Sequence, residues 1–506
     1  MDCRRNVAAF LLEDKDPGRV AIQVGRDTHT YGELRVAAAQ IAHYLVGLEG
    51  QKGDRVILAS DSSFYWVVAY LGILWSGRVC VPLPAGISSQ ELRYILDDTS
   101  SRHAFLQGAV LLKQAPLLRN VHVITSDQVE SVPGLASQRA LASICQGEGG
   151  SPVVCETEMA DLAALMFTSG STGRPRGVMV SHANIVANTE SILEYLELTE
   201  RDRILAVLPF HYCFGTSLLH THLRVGGSVV VESRFLYPES VLQRMLDTEC
   251  TGFAGVPSHF QILLRTSSIR KKQFPRLRYV QQAGGYLAPS FVRELREALP
   301  GAKIYIMYGQ TEATARLSYL PPEVLETKAG SIGRGIPGVR LQVLSELGEE
   351  VKPGEVGEIV AEGANVSRGY WRAPDETARA FRGGKLYTGD LATVDSDGYI
   401  YIVDRMKDFL KCGGQRVSCR LLEEQLLECD DLLEAAVVGI PDDVLGEAVR
   451  AFVVPREAGV SGLRERLLLS CKKRMPPQLV PKDVVVLASL PKNGAGKVLK
   501  QSLRML

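Results

Sequence analysis

Short apolar runs and longer amphipathic stretches alternate along most of the chain. Arg55 to Ala59 and Val79 to Pro82 are compact apolar segments, and Ser63 to Trp75 between them is apolar over a helical length. This predicts strand, helix, strand. Leu162 to Phe167 predicts a further buried strand. Ser181 is placed as a helix N-cap before Ile185, Ile192, Leu193 and Leu196, which recur at helical spacing. Four strands are then expected, Ile204 to Leu208, Gly252 to Val256, Arg278 to Gln282 and Lys303 to Met307. Helices are expected at Thr216 to Arg224, Pro238 to Glu249, Ser258 to Thr266 and Ser290 to Leu299.

Such alternation predicts an α/β fold with a parallel sheet. In that fold, ligands bind beyond the carboxyl ends of the strands. The stretches at those ends are Pro209 to Gly215, Pro257–Ser258, Ala283 to Tyr286, and Tyr308 to Glu312. They are expected to share one cleft. Past Ala329 the rhythm shortens to strands and tight turns, with Ser396-Asp397-Gly398 a hairpin signal, so an antiparallel β subdomain is expected. The charged cluster Asp404 to Asp408 then precedes a small α+β pattern. The predicted organisation is a large N-terminal domain of parallel βαβ subdomains and an antiparallel β subdomain (1–404), a hinge (405–407), and a small mobile α+β C-terminal domain (408–506).

The length of 506 residues suggests about three structural units. The 46% hydrophobic content, 23% charged content and zero formal net charge are those of an ordinary globular protein. They supply no electrostatic reason for a nucleic acid or an anionic membrane as partner. The longest apolar run, Phe64 to Trp75, is too short to span a bilayer. Ten cysteines without a C-x-x-C pair indicate neither a zinc cluster nor a disulfide framework, and a cytoplasmic location is the simplest expectation. His220 and His222, two apart on a predicted helix, point to different faces and are expected to be structural.

Thr168-Ser169-Gly170-Ser171-Thr172-Gly173-Arg174-Pro175-Arg176-Gly177 changes this picture. It packs four hydroxyls, three glycines and two arginines into one loop after a strand. Glycines let a backbone approach an anion, hydroxyls add donors, and guanidinium keeps its charge. A triphosphate needs all three. The loop lacks the Walker A spacing and its lysine, which argues against a P-loop kinase or NTPase. Together with Ser181-His182-Ala183-Asn184, it resembles the signature of the adenylate-forming superfamily, which includes acyl-CoA synthetases, peptide-synthetase adenylation domains and luciferase. Arg176 stands where the family usually has lysine. Four further motifs follow in the family's order.

The resemblance implies ATP-dependent activation of a carboxylic acid to an acyl-adenylate with loss of pyrophosphate, then transfer to a thiol. Thr168 to Gly173 and Arg176 would hold the ATP phosphates. In Tyr308-Gly309-Gln310-Thr311-Glu312, Tyr308 would flank the adenine, Thr311 would bond the α-phosphate, Glu312 would face Mg2+, and Gln310 is a further ATP-binding residue. A carboxylate beside a triphosphate makes sense only with a cation between them. Asp390 in Thr388-Gly389-Asp390 would accept the ribose hydroxyls, with Arg405 adding a second contact. Lys497, in the C-terminal G-K motif, would bridge the acid carboxylate and the α-phosphate. Lys407 matches the hinge about which the small domain turns, and Lys411 a lysine used by some members in the second half-reaction. Cys419 and Leu421 replace a usual proline and glutamate.

His211, Phe214, Gly215, Gly284, Gly285, Tyr286 and Met307 are the candidate acid-pocket residues. Gly215 aligns with the aspartate that pairs the substrate ammonium in amino-acid-specific relatives. An unpaired buried ammonium is costly, so the acid is expected to be an uncharged acyl or aryl one. Tyr286 and Met307 narrow that to a short to medium or ring-bearing acid. His211 is placed as lining or gating the pocket. The expected thiol is coenzyme A; the phosphopantetheine arm of a separate acyl or peptidyl carrier protein stays open. A non-catalytic nucleotide-binding relative is disfavoured by the presence of Lys497, Glu312 and Asp390.

Overall fold

The computed structural model describes residues 6–145, 155–169, 175–232, 235, 237–405, 409–412, 415–429, 431–442, 445–457, 462–492, 496 and 498–506. Four sheets organise the described chain. The first is seven-stranded and carries Arg55–Ala59, Val79–Leu83 and Leu162–Ser169 next to one another, with Pro175–Ser181 at its edge. The second is nine-stranded. Its centre is the parallel run Lys303–Tyr308, Tyr279–Gln282, Gly252–Gly255, Arg203–Ala206 and Ser228–Val231. The predicted helices between these strands form as Cys213–Val225, Pro238–Asp247, Pro257–Thr266 and Pro289–Ala298.

The core lies between these two sheets. The helix Phe64–Trp75 is buried along nearly its whole length. It packs on Tyr31–Gly47 so closely that a Cβ at Gly72 would sit 2.4 Å from Ile41. Trp66, fully buried, stacks on Tyr70 at 5.0 Å and tilts against Phe210 at 5.3 Å. Each such side chain contributes about 1.5–3 kcal/mol of burial energy. The helix Cys213–Val225 joins the same core and carries His220 and His222 inward. Their Nε2 atoms meet the Tyr70 and Tyr279 hydroxyls at 2.9 and 2.7 Å. Both are structural, as expected.

Ser181 caps the helix His182–Leu196 in a reciprocal capping box with Asn184. The antiparallel sheet forms from Val339–Leu344, Gly357–Gly363, Phe381–Arg382, Lys385–Val394 and Ile400–Arg405, and the last two strands are joined through the Asp397–Gly398 turn. Chain direction leaves this sheet after Arg405, and the next described strand, Phe409–Cys412, belongs to the C-terminal sheet. There Leu432–Asp442 and Gly446–Pro455 form a long hairpin, covered by the helices Cys419–Leu427 and Leu463–Arg474. No helix among the described residues is long and apolar enough to cross a membrane.

Two features depart from the expected elements. Ser228–Val231 is a strand between two of the four expected ones, and its signal, Ser-Val-Val-Val after Gly226-Gly227, is short enough to be passed over. Val20–Val24 and Asp27–Thr30, from the N-terminal stretch, complete the nine-stranded sheet rather than the seven-stranded one.

Candidate active site

One cleft of about 1720 Å³ lies where the strand ends, the antiparallel sheet and the C-terminal domain meet. Leu162–Ser169 and Pro175–Ser181 are antiparallel partners, with Thr168 opposite Arg176. The hydroxyl-rich stretch therefore starts and ends on two paired strands. Gly170 to Arg174, and so Ser171, Thr172 and Gly173 among the expected phosphate ligands, lie outside the described residues; Thr168 and Arg176 line the cleft.

Lys303–Tyr308 delivers the next group. Its last residue, Tyr308, is buried, and its hydroxyl donates to Asp390 Oδ2 at 2.6 Å. Asp390 is 3% exposed and lies directly across the sheet from Arg405. The adenine-flanking tyrosine and the ribose-binding aspartate of the sequence reading are thus one hydrogen-bonded unit. Gln310, Thr311 and Glu312 follow at the cleft wall, and the Nε2 of Gln310 is buried without a protein partner.

Glu312 Oε1 accepts from the Tyr370 hydroxyl at 2.8 Å, and the Arg176 guanidinium sits 5.0 Å over the Tyr370 ring. Burial, and then the Glu312 charge, push the Tyr370 phenol up, so it stays a donor. Tyr370 links the two phosphate-side residues and was not singled out by sequence. Its signal, Gly369-Tyr370-Trp371, resembles an ordinary turn before a helix. No group of three or more His, Cys, Asp or Glu side chains among the described residues is arranged to hold a metal. A lone carboxylate suits a cation that arrives with phosphate oxygens as its other ligands, as expected of Glu312.

His211, Phe214, Gly215, Gly284, Gly285, Tyr286 and Met307, the expected acid-side residues, all line the same cleft. Burial pushes His211 down to about 4, so its ring is neutral near pH 7, and its Nε2 has no protein partner. Gly284 needs a positive φ of 82°, and a Cβ there would sit 2.9 Å from Val256. A side chain at 284 is excluded on both counts.

The inference drawn from Gly215 needs correction. A Cβ at 215 would lie 2.1 Å from the Pro209 carbonyl oxygen, so the position is glycine because a helix packs there against backbone. Its lack of a carboxylate says nothing about the substrate. The pocket is nonetheless unsuited to an ammonium group, because the guanidinium of fully buried Arg316 stacks 4.1 Å over the Phe214 ring behind this wall.

The C-terminal domain closes the cleft. Arg420, on the helix Cys419–Leu427, stacks 3.5 Å over the Tyr286 ring while its Nη1 donates to the Ile402 carbonyl at 2.7 Å. Burial pushes the Tyr286 phenol up to about 12. Lys497 lies outside the described residues, as do Lys407 and Gly413–Gly414. Gly496, before Lys497, accepts from Ser258 Oγ at 3.4 Å, and both line the cleft. Ion pairs Lys492–Glu434 at 2.6 Å and Lys500–Glu423 at 2.8 Å stand on either side of that segment. Lys411 is placed in the strand Phe409–Cys412, opposite Arg416. Sequence reasoning missed Arg420, Glu423 and Lys500 because single charged residues on a helix resemble solvated ones.

Set beside known proteins, residues 12–371 match the model of the AMP-binding enzyme family, and residues 421–497 match its C-terminal domain. The chain belongs to that family. It is 30% identical to the oxalate–CoA ligase of Arabidopsis thaliana over 503 residues, which spans 96% of both chains. It is 32% identical to a feruloyl-CoA synthase of an Amycolatopsis species, again with 96% of each covered. In structure it resembles the O-succinylbenzoate coenzyme A synthetase of Bacillus subtilis in complex with ATP and magnesium ion, at a TM-score of 0.84, 26% identity, and coverage of 98% of this chain and 99% of that one. The two curated relatives are thus named as a CoA ligase and a CoA synthase, and the Bacillus subtilis synthetase is also known in complex with its acyl-adenylate intermediate.

Proposed function

We propose that this AMP-binding enzyme is an ATP-dependent acid–coenzyme A ligase acting on a small carboxylic acid without an ammonium group. The observation that carries this is the convergence on one cleft of Thr168 and Arg176, of Tyr308 bonded to Asp390, of Glu312 bonded to Tyr370, and of Gly496 from the C-terminal domain.

In the first step a carboxylate oxygen attacks the α-phosphorus of ATP. The bond from that phosphorus to the bridging oxygen breaks, and pyrophosphate leaves with the electron pair. Asp390, held by Tyr308, fixes the ribose with Arg405; Tyr308 and Gln310 border the base; Thr168 to Gly173 and Arg176 hold the phosphates. Thr311 donates to the α-phosphate, and Glu312 would hold the magnesium that the phosphates bring, which would supply charge neutralisation. Lys497 neutralises charge where it develops between the two oxyanions.

In the second step the coenzyme A sulfur attacks the acyl carbon and AMP leaves. The small domain turns about Lys407 between the steps, bringing Lys411 toward the acceptor side. Neutral His211, with a free ring nitrogen on the pocket wall, orients the acid rather than pairing its charge. ATP and coenzyme A supply, and nine described cysteines all unpaired, fit a cytoplasmic setting.

Pyrophosphate release across a panel of short, medium, aromatic and amino acids, each with and without coenzyme A, tests this. Release with a non-amino acid, faster with coenzyme A, is expected. ATP binding with silence across the panel would refute ligase activity, and acceleration only by a carrier protein would refute the acceptor. Lys497→Ala is expected to abolish adenylation while ATP still binds.

A further inference from the structure

The acid-side wall hides a charge that the fold does not balance. Arg316 is 1% exposed, and its backbone carbonyl is pinned by Asn188 Nδ2 at 3.2 Å and Asn365 Nδ2 at 2.7 Å. Its guanidinium has only neutral company, the Tyr195 hydroxyl included. Nε donates to Met307 Sδ at 3.3 Å, Nη2 reaches Gln281 Oε1 at 3.5 Å, and the Phe214 ring lies below. Among the described residues no carboxylate stands within ion-pair distance.

A guanidinium offers five donors, and taking one out of water is expensive unless an anion and hydrogen bonds replace the lost hydration. The neighbours supply neutral acceptors but no anion. Gln281, also 1% exposed, has a buried Nε2 with no protein partner, and the Tyr195 hydroxyl donates to Met307 Sδ at 3.2 Å while its oxygen is hydrogen-bonded to the guanidinium. Phe214 and Met307, which touch the guanidinium, both line the acid pocket, as does Cys213. Cys213 Sγ lies 3.5 Å from the hydroxyl of Thr311, the residue assigned to the α-phosphate, while the charge of Arg316 acts on the same thiol. The donor-rich end is therefore about one side chain away from the reacting end.

We propose that Arg316 is the receptor for a second carboxylate at the far end of the acid, so that the enzyme activates one carboxyl of a short dicarboxylic acid instead of one with an uncharged tail. This rests on the acid–thiol ligase function proposed above. The second carboxylate enters between Phe214 and Met307 and meets Arg316 in a two-pronged contact, with Gln281 Nε2 as an added donor.

The test compares the native enzyme with Arg316→Met and Arg316→Lys, using linear and aromatic dicarboxylates and their monomethyl esters. The native enzyme is expected to favour the diacid over its half-ester at least tenfold in kcat/KM. Arg316→Met is expected to lose that preference while KM for ATP stays put, and Arg316→Lys to recover part of it. Relieved of an unbalanced buried charge, Arg316→Met is also expected to melt no lower than native.

A native preference for the half-esters, or equal loss on both series with a lowered melting temperature, would overturn the proposal and make Arg316 structural. The second readout needs no turnover: with a non-hydrolysable ATP analogue present, a diacid raises the native melting temperature but not that of Arg316→Met. Stabilisation of both, or of neither, overturns the proposal. A diacid-specific shift in an enzyme that releases no pyrophosphate would leave Arg316 in place and refute the ligase reaction instead.

Discussion

Tyr308→Phe isolates one hydrogen bond in the nucleotide site. The substitution removes the hydroxyl that donates to Asp390 Oδ2 at 2.6 Å and leaves the ring and its burial unchanged. A hydrogen bond to a charged group contributes about 1.5–3 kcal/mol, and Asp390 is too buried for water to replace it freely. If that donor holds the carboxylate ready for the ribose, about 2 kcal/mol is withdrawn from ATP binding, or roughly thirtyfold in Kd. Calorimetric titration with a non-hydrolysable ATP analogue measures this directly. Pyrophosphate release then separates KM for ATP, expected to rise, from KM for the acid, expected to hold. An ATP affinity within twofold of native, or a loss confined to thermal stability, would refute the reasoning and make the pair a packing device.

Arg420→Ala removes the guanidinium that covers Tyr286 at 3.5 Å. A contact of this kind contributes about 0.5–2 kcal/mol, so adenylation is expected to slow severalfold while transfer from preformed acyl-adenylate to coenzyme A does not; equal slowing of both half-reactions in rapid-quench measurements would refute it. Gly215→Ala places a Cβ 2.1 Å from a backbone oxygen and is expected to cost about 3 kcal/mol or more in urea unfolding; a loss under 1 kcal/mol would show that the helix start can shift. His182, His211, His222 and His259 are each pushed by burial to about 4, and His220 to about 3. The unfolded chain therefore binds more protons from pH 6.5 down to about 4, so stability is full above pH 6.5 and is lost as pH falls through that window. The slope approaches about 1.4 kcal/mol per pH unit for each such histidine. Denaturant midpoints that stay flat from pH 7 to 5 would show that these imidazoles are not buried neutral.

Much of the site was legible because its chemistry is carried by short contiguous motifs. Thr168 and Arg176, Tyr308 to Glu312, and Asp390 each sit on a run whose residue types are rare together, and the strand-end rule points Tyr308 to Glu312 to a shared cleft. Gly215 shows where that logic breaks. A glycine was weighed as a missing carboxylate when its neighbour across space, the Pro209 carbonyl, leaves no room for any side chain. Tyr370 and Arg420 were illegible for the opposite reason, because each gains its role from a partner far along the chain, Glu312 and Tyr286.

By itself the sequence determined the alternation of strands and helices and the family, since periodicity, turn residues and contiguous motifs are local properties of a chain. Only the tertiary structure decided that the N-terminal hairpin Val20–Thr30 joins the second sheet, that Tyr308 and Tyr370 harness Asp390 and Glu312, and that Arg316 is buried without an anion behind the acid pocket. Burial and pairing are sums over neighbours distant in sequence, and no window of adjacent residues contains them.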